Sequence, residues 1–333
     1  MILITGATGF VGTHLMLHLL ETEQKVRAIY RNEAKIKQTK SLFLALQKQH
    51  LFDNIEWLFA DITNIPTLEK AFENIDFVYH CAGMISFDHK DEHQLRKVNI
   101  EGTANIVNFC LHKKVKKLIH VSSIATLGSM TNNEKKINEE AIWNPEMKHS
   151  DYAISKYGAE IEIWRGQQEG LKVAIVNPGV IFGNWRANAE DKSNSMTIFR
   201  KIQKGLKFYT NGSTGFVGVG DVVKIMTMLM QTNNHGERYI LVAENLKFQD
   251  VFVMIAHHLK VKPPTIKIKK RVANKLLFCY SLLSKIFFKK QLITKMIAQT
   301  LYEKNTYDNL KIKKTLKFEF ETMASCIKKI DYY

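Results

Sequence analysis

Tyr152 and Lys156 stand four residues apart in Tyr152-Ala153-Ile154-Ser155-Lys156. At that spacing two side chains share one face of a helix. A free phenol titrates near pH ~10 and is protonated at neutrality, and a neighbouring ammonium lowers that value by favouring the phenolate. Such a pair can exchange a proton with a carbonyl or alcohol oxygen near physiological pH. Ser123, in Val121-Ser122-Ser123, can hold the same oxygen through its hydroxyl. A second group opens the chain: Thr5-Gly6-Ala7-Thr8-Gly9-Phe10-Val11-Gly12. Gly6 suits a sharp turn, Gly9 lets the backbone approach a pyrophosphate, and Gly12 lets a helix pack closely on a strand. The amides and dipole of the helix that follows favour phosphate charge. Neither signal is specific alone, since tight turns use glycine for steric reasons and most Tyr/Lys pairs of this spacing are helix surface. Their weight comes from order: glycine loop, strand-end serines, Tyr152 and Lys156, then a strand ending in Pro178-Gly179. The twelve histidines are scattered and suggest no nucleophile with a histidine base.

The second strand helps choose the nucleotide. An NAD site usually places an acid there for the ribose hydroxyls. This chain has Tyr30 and Arg31, with Lys35 and Lys37 close behind. A guanidinium can hold a 2′-phosphate by charge-assisted hydrogen bonds, so NADP(H) is expected over NAD(H). The plainer alternative is a solvated basic turn. Asp61, after the third strand, suits either the adenine amino group or a helix cap for the segment from Ile65.

These residues need a frame, and the apolar pattern supplies one. Short apolar runs at Ile2–Thr5, Val26–Tyr30, Ile55–Ala60, Phe77–Cys81, Leu118–Ser122 and Val173–Asn177 predict strands. Between them lie helical stripes, such as Leu15, Met16, Leu19 and Leu20, or Ile100, Ala104, Val107 and Leu111. Strands alternating with helices imply a Rossmann-type doubly wound parallel sheet, an α/β fold. Residues 1–180 form the nucleotide domain, with elements near 215–245 returning to it. Residues 181–333 form a smaller, mostly helical substrate lobe with a basic C-terminal segment.

Composition bounds the class. Of 333 residues, 45% are hydrophobic and 24% charged, which excludes a disordered chain. The net charge of +16 is uneven: from Lys260 to Tyr333 there are 18 Lys/Arg against 5 Asp/Glu. Cys81, Cys110, Cys279 and Cys326 form no CxxC pair, which suits a reduced, cytoplasmic protein and no structural metal. The opening MILITG leaves no room for a signal peptide. The longest stretch without Asp, Glu, Lys or Arg, Leu118–Asn133, is too short and polar to span a bilayer.

At this point the chain resembles the extended short-chain dehydrogenase/reductase family, within the NAD-dependent epimerase/dehydratase superfamily. The resemblance rests on TGATGFVG at 5–12, AD at 60–61, HCAG at 80–83, VNIEGT at 98–103, SS at 122–123, YAISK at 152–156 and NPGVIFG at 177–183, with a weaker echo in GFVGVGDVV at 215–223. It implies Tyr152 as acid/base, Lys156 on the ribose hydroxyls, Ser123 on the substrate oxygen, and Asn99 as a supporting residue of the site. It also implies a cofactor site of Gly6, Thr8, Gly9, Phe10, Val11, Gly12, Arg31, Asp61, Ile62, Cys81, Ala82, Gly83, Tyr152, Lys156, Pro178 and Val180. The pattern is similar to dihydroflavonol-reductase and hydroxysteroid-dehydrogenase branches. Asn177, where many relatives carry Arg, and Gly220, where many carry Asp, depart from it.

Met84, Ile85, Phe87, Leu127, Met130, Ile181, Phe182 and Trp185 are expected to line an apolar substrate pocket, although each also suits a core. The tail from Leu276 to Phe288, bracketed by Lys275, Lys285, Lys289 and Lys290, reads as a lid helix, with peripheral contact to an anionic membrane through 270–295 as the rival. Its aromatics are not spaced as a base-stacking platform, so nucleic acid is not expected. Family analogy adds a homodimer through helices at 100–111 and 152–164. The expected activity is hydride transfer between NADP(H) and a small carbonyl/alcohol substrate. The alternatives are a nucleotide-sugar epimerase with bound NAD and a non-catalytic NADP-sensing interaction protein.

Overall fold

The computed structural model describes residues 1–22, 24–128, 136–185, 196–272 and 300–331. Its strands are β1 (Ile2–Thr5), β2 (Val26–Tyr30), β3 (Ile55–Phe59), β4 (Phe77–His80), β5 (Lys117–Val121), β6 (Val173–Pro178), β7 (Val180–Phe182), β8 (Phe208–Tyr209), β9 (Ser213–Gly218), β10 (Glu237–Leu241), β11 (Glu244–Lys247) and β12 (Ile266–Lys267). Seven of these form one parallel sheet in the order β3-β2-β1-β4-β5-β6-β10. The order reverses between β1 and β4. A crevice for a ligand therefore opens at the carboxyl ends of those two strands.

The helices are α1 (Phe10–Glu21), α2 (Glu33–Ala45), α3 (Gln49–Phe52), α4 (Ile65–Ala71), α5 (Glu92–Arg96), α6 (Gly102–His112), α7 (Asp151–Gln168), α8 (Thr197–Gln203), α9 (Val219–Gln231), α10 (Phe248–His258), α11 (Leu310–Leu316) and α12 (Met323–Lys328). One face of the sheet is covered by α1 and α9, through Leu15, Met16, Leu19, Val222, Ile225 and Met226. The other face is covered by α4, α6 and α7, through Leu68, Ile106, Val107, Cys110 and Ile163. The stripe expected on α6 is partly displaced: Ile100, Ala104 and Leu111 are only half-buried, while Thr103, Ile106, Val107 and Cys110 are buried. Part of the expected stripe packs toward α7 instead, with Ile100 against Gly158 and Val107 against Gly166, and a π turn at Lys97–Glu101 joins α5 to α6.

Two buried cations sit within the sheet and cap helices. Arg27 of β2 donates to the carbonyls of Lys70, Ala71 and Glu73 at the end of α4. Lys117 of β5 donates to the carbonyls of Leu229, Thr232 and Asn234 at the end of α9. Burial lowers the Lys117 ammonium to about 8. Each cation answers the negative end of a helix with real hydrogen bonds.

The smaller lobe grows from the end of β6. It contains a three-stranded sheet, β11-β9-β7, and the short pair β12-β8. Phe182, Phe199, Phe216, Val251, Ile255, Met323 and Ile327 form its core, joining α8, α10 and α12. The apolar, basic stretch from Leu276 to Phe288 and Met130 lie outside the described residues. No helix among the described residues is long and apolar enough to cross a membrane.

Candidate active site

The glycine loop lies at the carboxyl end of β1. Gly6 has φ +64°, and a Cβ there would sit 2.5 Å from the Ala82 nitrogen, so the loop runs against the chain leaving β4. A Cβ at Gly12 would sit 2.3 Å from the Gly6 carbonyl oxygen. Both positions exclude a side chain on steric grounds. The Gly9 amide donates to the Gly6 carbonyl at 2.9 Å, and no side chain caps the start of α1. Uncapped first-turn amides of a three-turn helix are the donor set that a pyrophosphate requires, so the residues fit a dinucleotide. Thr8 and Gly9 face outward on the same loop, and Phe10 packs edge-on against Trp185 at 5.5 Å.

At the outer end, Arg31 is exposed and its guanidinium lies 3.7 Å from Asp61 Oδ2. Asp61 Oδ1 accepts from the Thr63 amide at 2.9 Å and the Thr63 hydroxyl at 2.8 Å. The carboxylate thus braces its own turn and faces Arg31. The N-cap position of α4 falls on Asn64 instead.

Ser150 caps α7 by accepting from the Ala153 amide at 3.1 Å, which places Tyr152 in the first turn. The half-buried Tyr152 side chain stands by Ser123, whose hydroxyl oxygen accepts from the Ala125 amide at 3.1 Å. Burial raises the phenol above its ordinary value, and Ser123 partly opposes that rise. The sequence suggested a phenol lowered by Lys156. Instead, the Lys156 ammonium donates to the Val121 carbonyl at 2.8 Å and lies 3.3 Å from His120 Nε2. Burial lowers Lys156 to about 8, with Glu160 and Cys81 acting in the opposite direction. Tyr152, Ser123 and Lys156 therefore converge at the carboxyl edge of β5, beside the glycine loop.

Behind them is a buried polar cluster that sequence reasoning missed. Glu160, 1% exposed, accepts from the Ser122 hydroxyl at 2.5 Å and from Asn177 Nδ2 at 2.7 Å. Asn177 Nδ2 also reaches the Ser123 carbonyl at 3.1 Å. Arg238 of β10 lies 3.5 Å from the second Glu160 oxygen and donates to the carbonyls of Glu139 and Ala141. The departure at Asn177 is thus accommodated by a neutral amide, with the cation arriving from another strand. The available sequence signal was an acid four residues beyond Lys156, on the helix face that holds the site.

Asn99 sits in the π turn and is 1% exposed. Its amide accepts from the Met84 nitrogen at 2.7 Å and donates to the Met84 carbonyl at 3.0 Å and Ser155 Oγ at 2.8 Å. It ties the chain after β4 to α7 rather than bonding Tyr152 or Lys156. Gly83 faces both Asn99 and Lys156. Burial pushes the Cys81 thiol up to about 12, so it stays protonated. Ile62 is buried against Gly102, Pro178 ends β6 and Val180 opens β7.

Of the expected pocket residues, Phe87 lies near Tyr152 with ring centroids 5.6 Å apart, and Met84 is half-buried against the core under α4, α6 and α7. Two expectations are corrected. Phe182, 1% exposed, is interlocked with Phe199 and Phe216 in the lobe core. Leu127 belongs to a small core with Ile240, Val242 and Tyr307. Both are apolar residues that follow a strand end, and apolar type alone does not separate pocket from core. A clamp was also missed: His89 Nδ1 lies 2.8 Å from Asp151 Oδ2 and 3.7 Å from Glu92 Oε2, holding the Phe87 segment to the start of α7.

The reversed sheet order, the glycine turn and the Ser/Tyr/Lys group define a Rossmann-type enzyme of the NAD(P)-dependent reductase and epimerase class. Residues 2–242 match the model of the NAD dependent epimerase/dehydratase family, and the chain belongs to that family. It is 28% identical over 243 residues to sterol demethylase protein B of Methylococcus capsulatus, covering 73% of this chain and 70% of that one. It is 34% identical over 263 residues to dihydroflavonol 4-reductase of Callistephus chinensis, covering 76% and 71%. UDP-glucuronic acid 4-epimerase from Bacillus cereus, solved with UDP-glucuronic acid and NAD, shares the fold with a TM-score of 0.74 at 18% identity, over 98% of this chain and 96% of that one.

Proposed function

We propose that this chain is an NADP(H)-dependent oxidoreductase acting on the carbonyl/alcohol pair of a small apolar substrate, with Tyr152 as acid/base. The observation that carries this reading is the convergence of Tyr152, Ser123 and Lys156 at the carboxyl end of β5, on the edge of the sheet that also bears the uncapped start of α1. A raised phenol is a proton donor at neutral pH, which suits the reducing direction. Ser123 orients the substrate oxygen, and Tyr152 gives it a proton on reduction and takes one back on oxidation. Gly6, Thr8, Gly9, Phe10, Val11 and Gly12 would hold the pyrophosphate, Arg31 the 2′-phosphate, and Lys156 the ribose hydroxyls. When bound there, the nicotinamide supplies or accepts the hydride. Phe87, 45% exposed beside Tyr152, and Ile85, 46% exposed two residues before it, offer apolar surface to the substrate.

The test is a panel of apolar ketones and aldehydes followed by NADPH absorbance. At least one should drive NADPH oxidation. No turnover on the panel, together with NAD copurifying with the protein, would instead assign the epimerase reaction.

A further inference from the structure

We infer that His120 is a positioning residue, holding the Lys156 ammonium in place beside the Tyr152 and Ser123 pair by accepting a hydrogen bond at Nε2. The inference rests on the reading of Tyr152 and Lys156 given above. An ammonium has three protons to place. In this structure Val121 O takes one at 2.8 Å and His120 Nε2 faces another at 3.3 Å, which leaves one for the ribose hydroxyls. The other polar groups nearby are already engaged. The Asn99 carbonyl accepts from Thr103 Oγ1 at 2.5 Å, and the Asn99 amide is bonded to Met84 and Ser155. His80 meets Thr5 at one ring nitrogen and Thr103 at the other.

His120 has 0% exposure, and its Nδ1 has no hydrogen-bond partner. Leaving a buried ring nitrogen unpaired is unfavourable, so packing alone favours an apolar side chain in β5. The imidazole is explained by what its other nitrogen does. The titratable groups acting on it are Lys156 of α7 and His80 of β4, while Glu160 of α7 and Cys81 just beyond β4 act on Lys156. Burial, then Lys156 and His80, hold His120 well below the ordinary histidine range. A neutral ring facing an ammonium presents a lone pair at Nε2 and carries its proton on Nδ1.

A hydrogen bond to the charged form favours that form. Without the acceptor, the burial that already depresses Lys156 acts with less opposition, and the ammonium is lost at lower pH. His120→Leu should therefore move the alkaline limb of kcat/KM down by about one pH unit and weaken NADPH binding at pH 8 by about tenfold. At pH 6 both should approach wild type. His120→Gln, which keeps an acceptor, should restore most of each. NADPH dissociation constants are read by nucleotide fluorescence across pH, with circular dichroism to verify folding. A folded His120→Leu with an unshifted binding profile, or His120→Gln behaving like His120→Leu, overturns the inference. A measurement on the wild-type chain covers the case in which variants do not fold. Two-bond ¹H–¹⁵N spectra of the histidine rings should show His120 as the Nδ1–H tautomer, and an Nε2–H ring also overturns it. Failure of every carbonyl substrate would sink the oxidoreductase reading but leave the binding profile and the tautomer to decide this one.

Discussion

Tyr152 differs from a surface tyrosine in its setting: burial raises its phenol, and Ser123 beside it opposes that rise. Tyr152→Phe should lower kcat by at least about a hundredfold while leaving the NADPH dissociation constant within a few-fold of wild type. A variant turning over near the wild-type rate removes Tyr152 from its assigned role. Arg31 is the residue on which nucleotide choice turns. Arg31→Ala should raise KM for NADPH by about tenfold and leave KM for NADH nearly unchanged. Equal effects on both would make Arg31 a solvated turn residue. At this scale the sequence marked the reacting groups well, because the glycine loop and the Tyr/Lys spacing are local patterns. It missed Glu160, Arg238 and His120, because their meaning depends on which strands become neighbours. Arg238 reaches the site only because β10 pairs with β6.

Among the elements, the first six strands of the main sheet were legible to within a residue, since a doubly buried strand reads as an unbroken apolar run, whereas β10 was anticipated only as part of a segment returning to the domain. The buried face of α6 was not legible, because part of its apolar stripe packs on α7, with Ile100 and Val107 against Gly158 and Gly166, and spacing alone does not say which neighbour a stripe meets. Two elements carry the site and give tests of their own. Ser150 caps α7, so Ser150→Ala should lower stability by about 1 kcal/mol in urea unfolding. The segment carrying Phe87 is held to α7 by His89 and Asp151, and Asp151 is the main cause raising the His89 imidazole. A histidine raised by a partner supports the contact fully below its free value, and that support fades as pH rises through the raised value. Amide exchange across residues 84–91, corrected for its intrinsic pH dependence, should quicken over that interval. His89→Ala should be fast at every pH. Exchange independent of pH in the wild-type chain would show that the contact holds nothing.

For the whole molecule, the polar groups sealed between the main sheet and helices α6 and α7 set the response to acid. His80 and His120 are fully buried, and burial is the leading cause that lowers both, His80 to about 3. On unfolding they regain an ordinary imidazole near ~6.5. The unfolded chain then binds more protons below that value, so stability falls as pH drops from about 6.5 toward 4, by roughly 1.4 kcal/mol per pH unit for His80, with His120 adding in the same direction. Urea midpoints at pH 7, 6 and 5 should show this decline, and His80→Gln should flatten it. The same burial brings β5, α7 and the glycine loop to one edge of the sheet. The most direct measurement is a crystal structure grown with NADP⁺. The expected result is the nicotinamide ring beside the Tyr152 phenol, with the 2′-phosphate against Arg31. A phenol turned into solvent, away from the reactive carbon of the ring, would contradict the assignment.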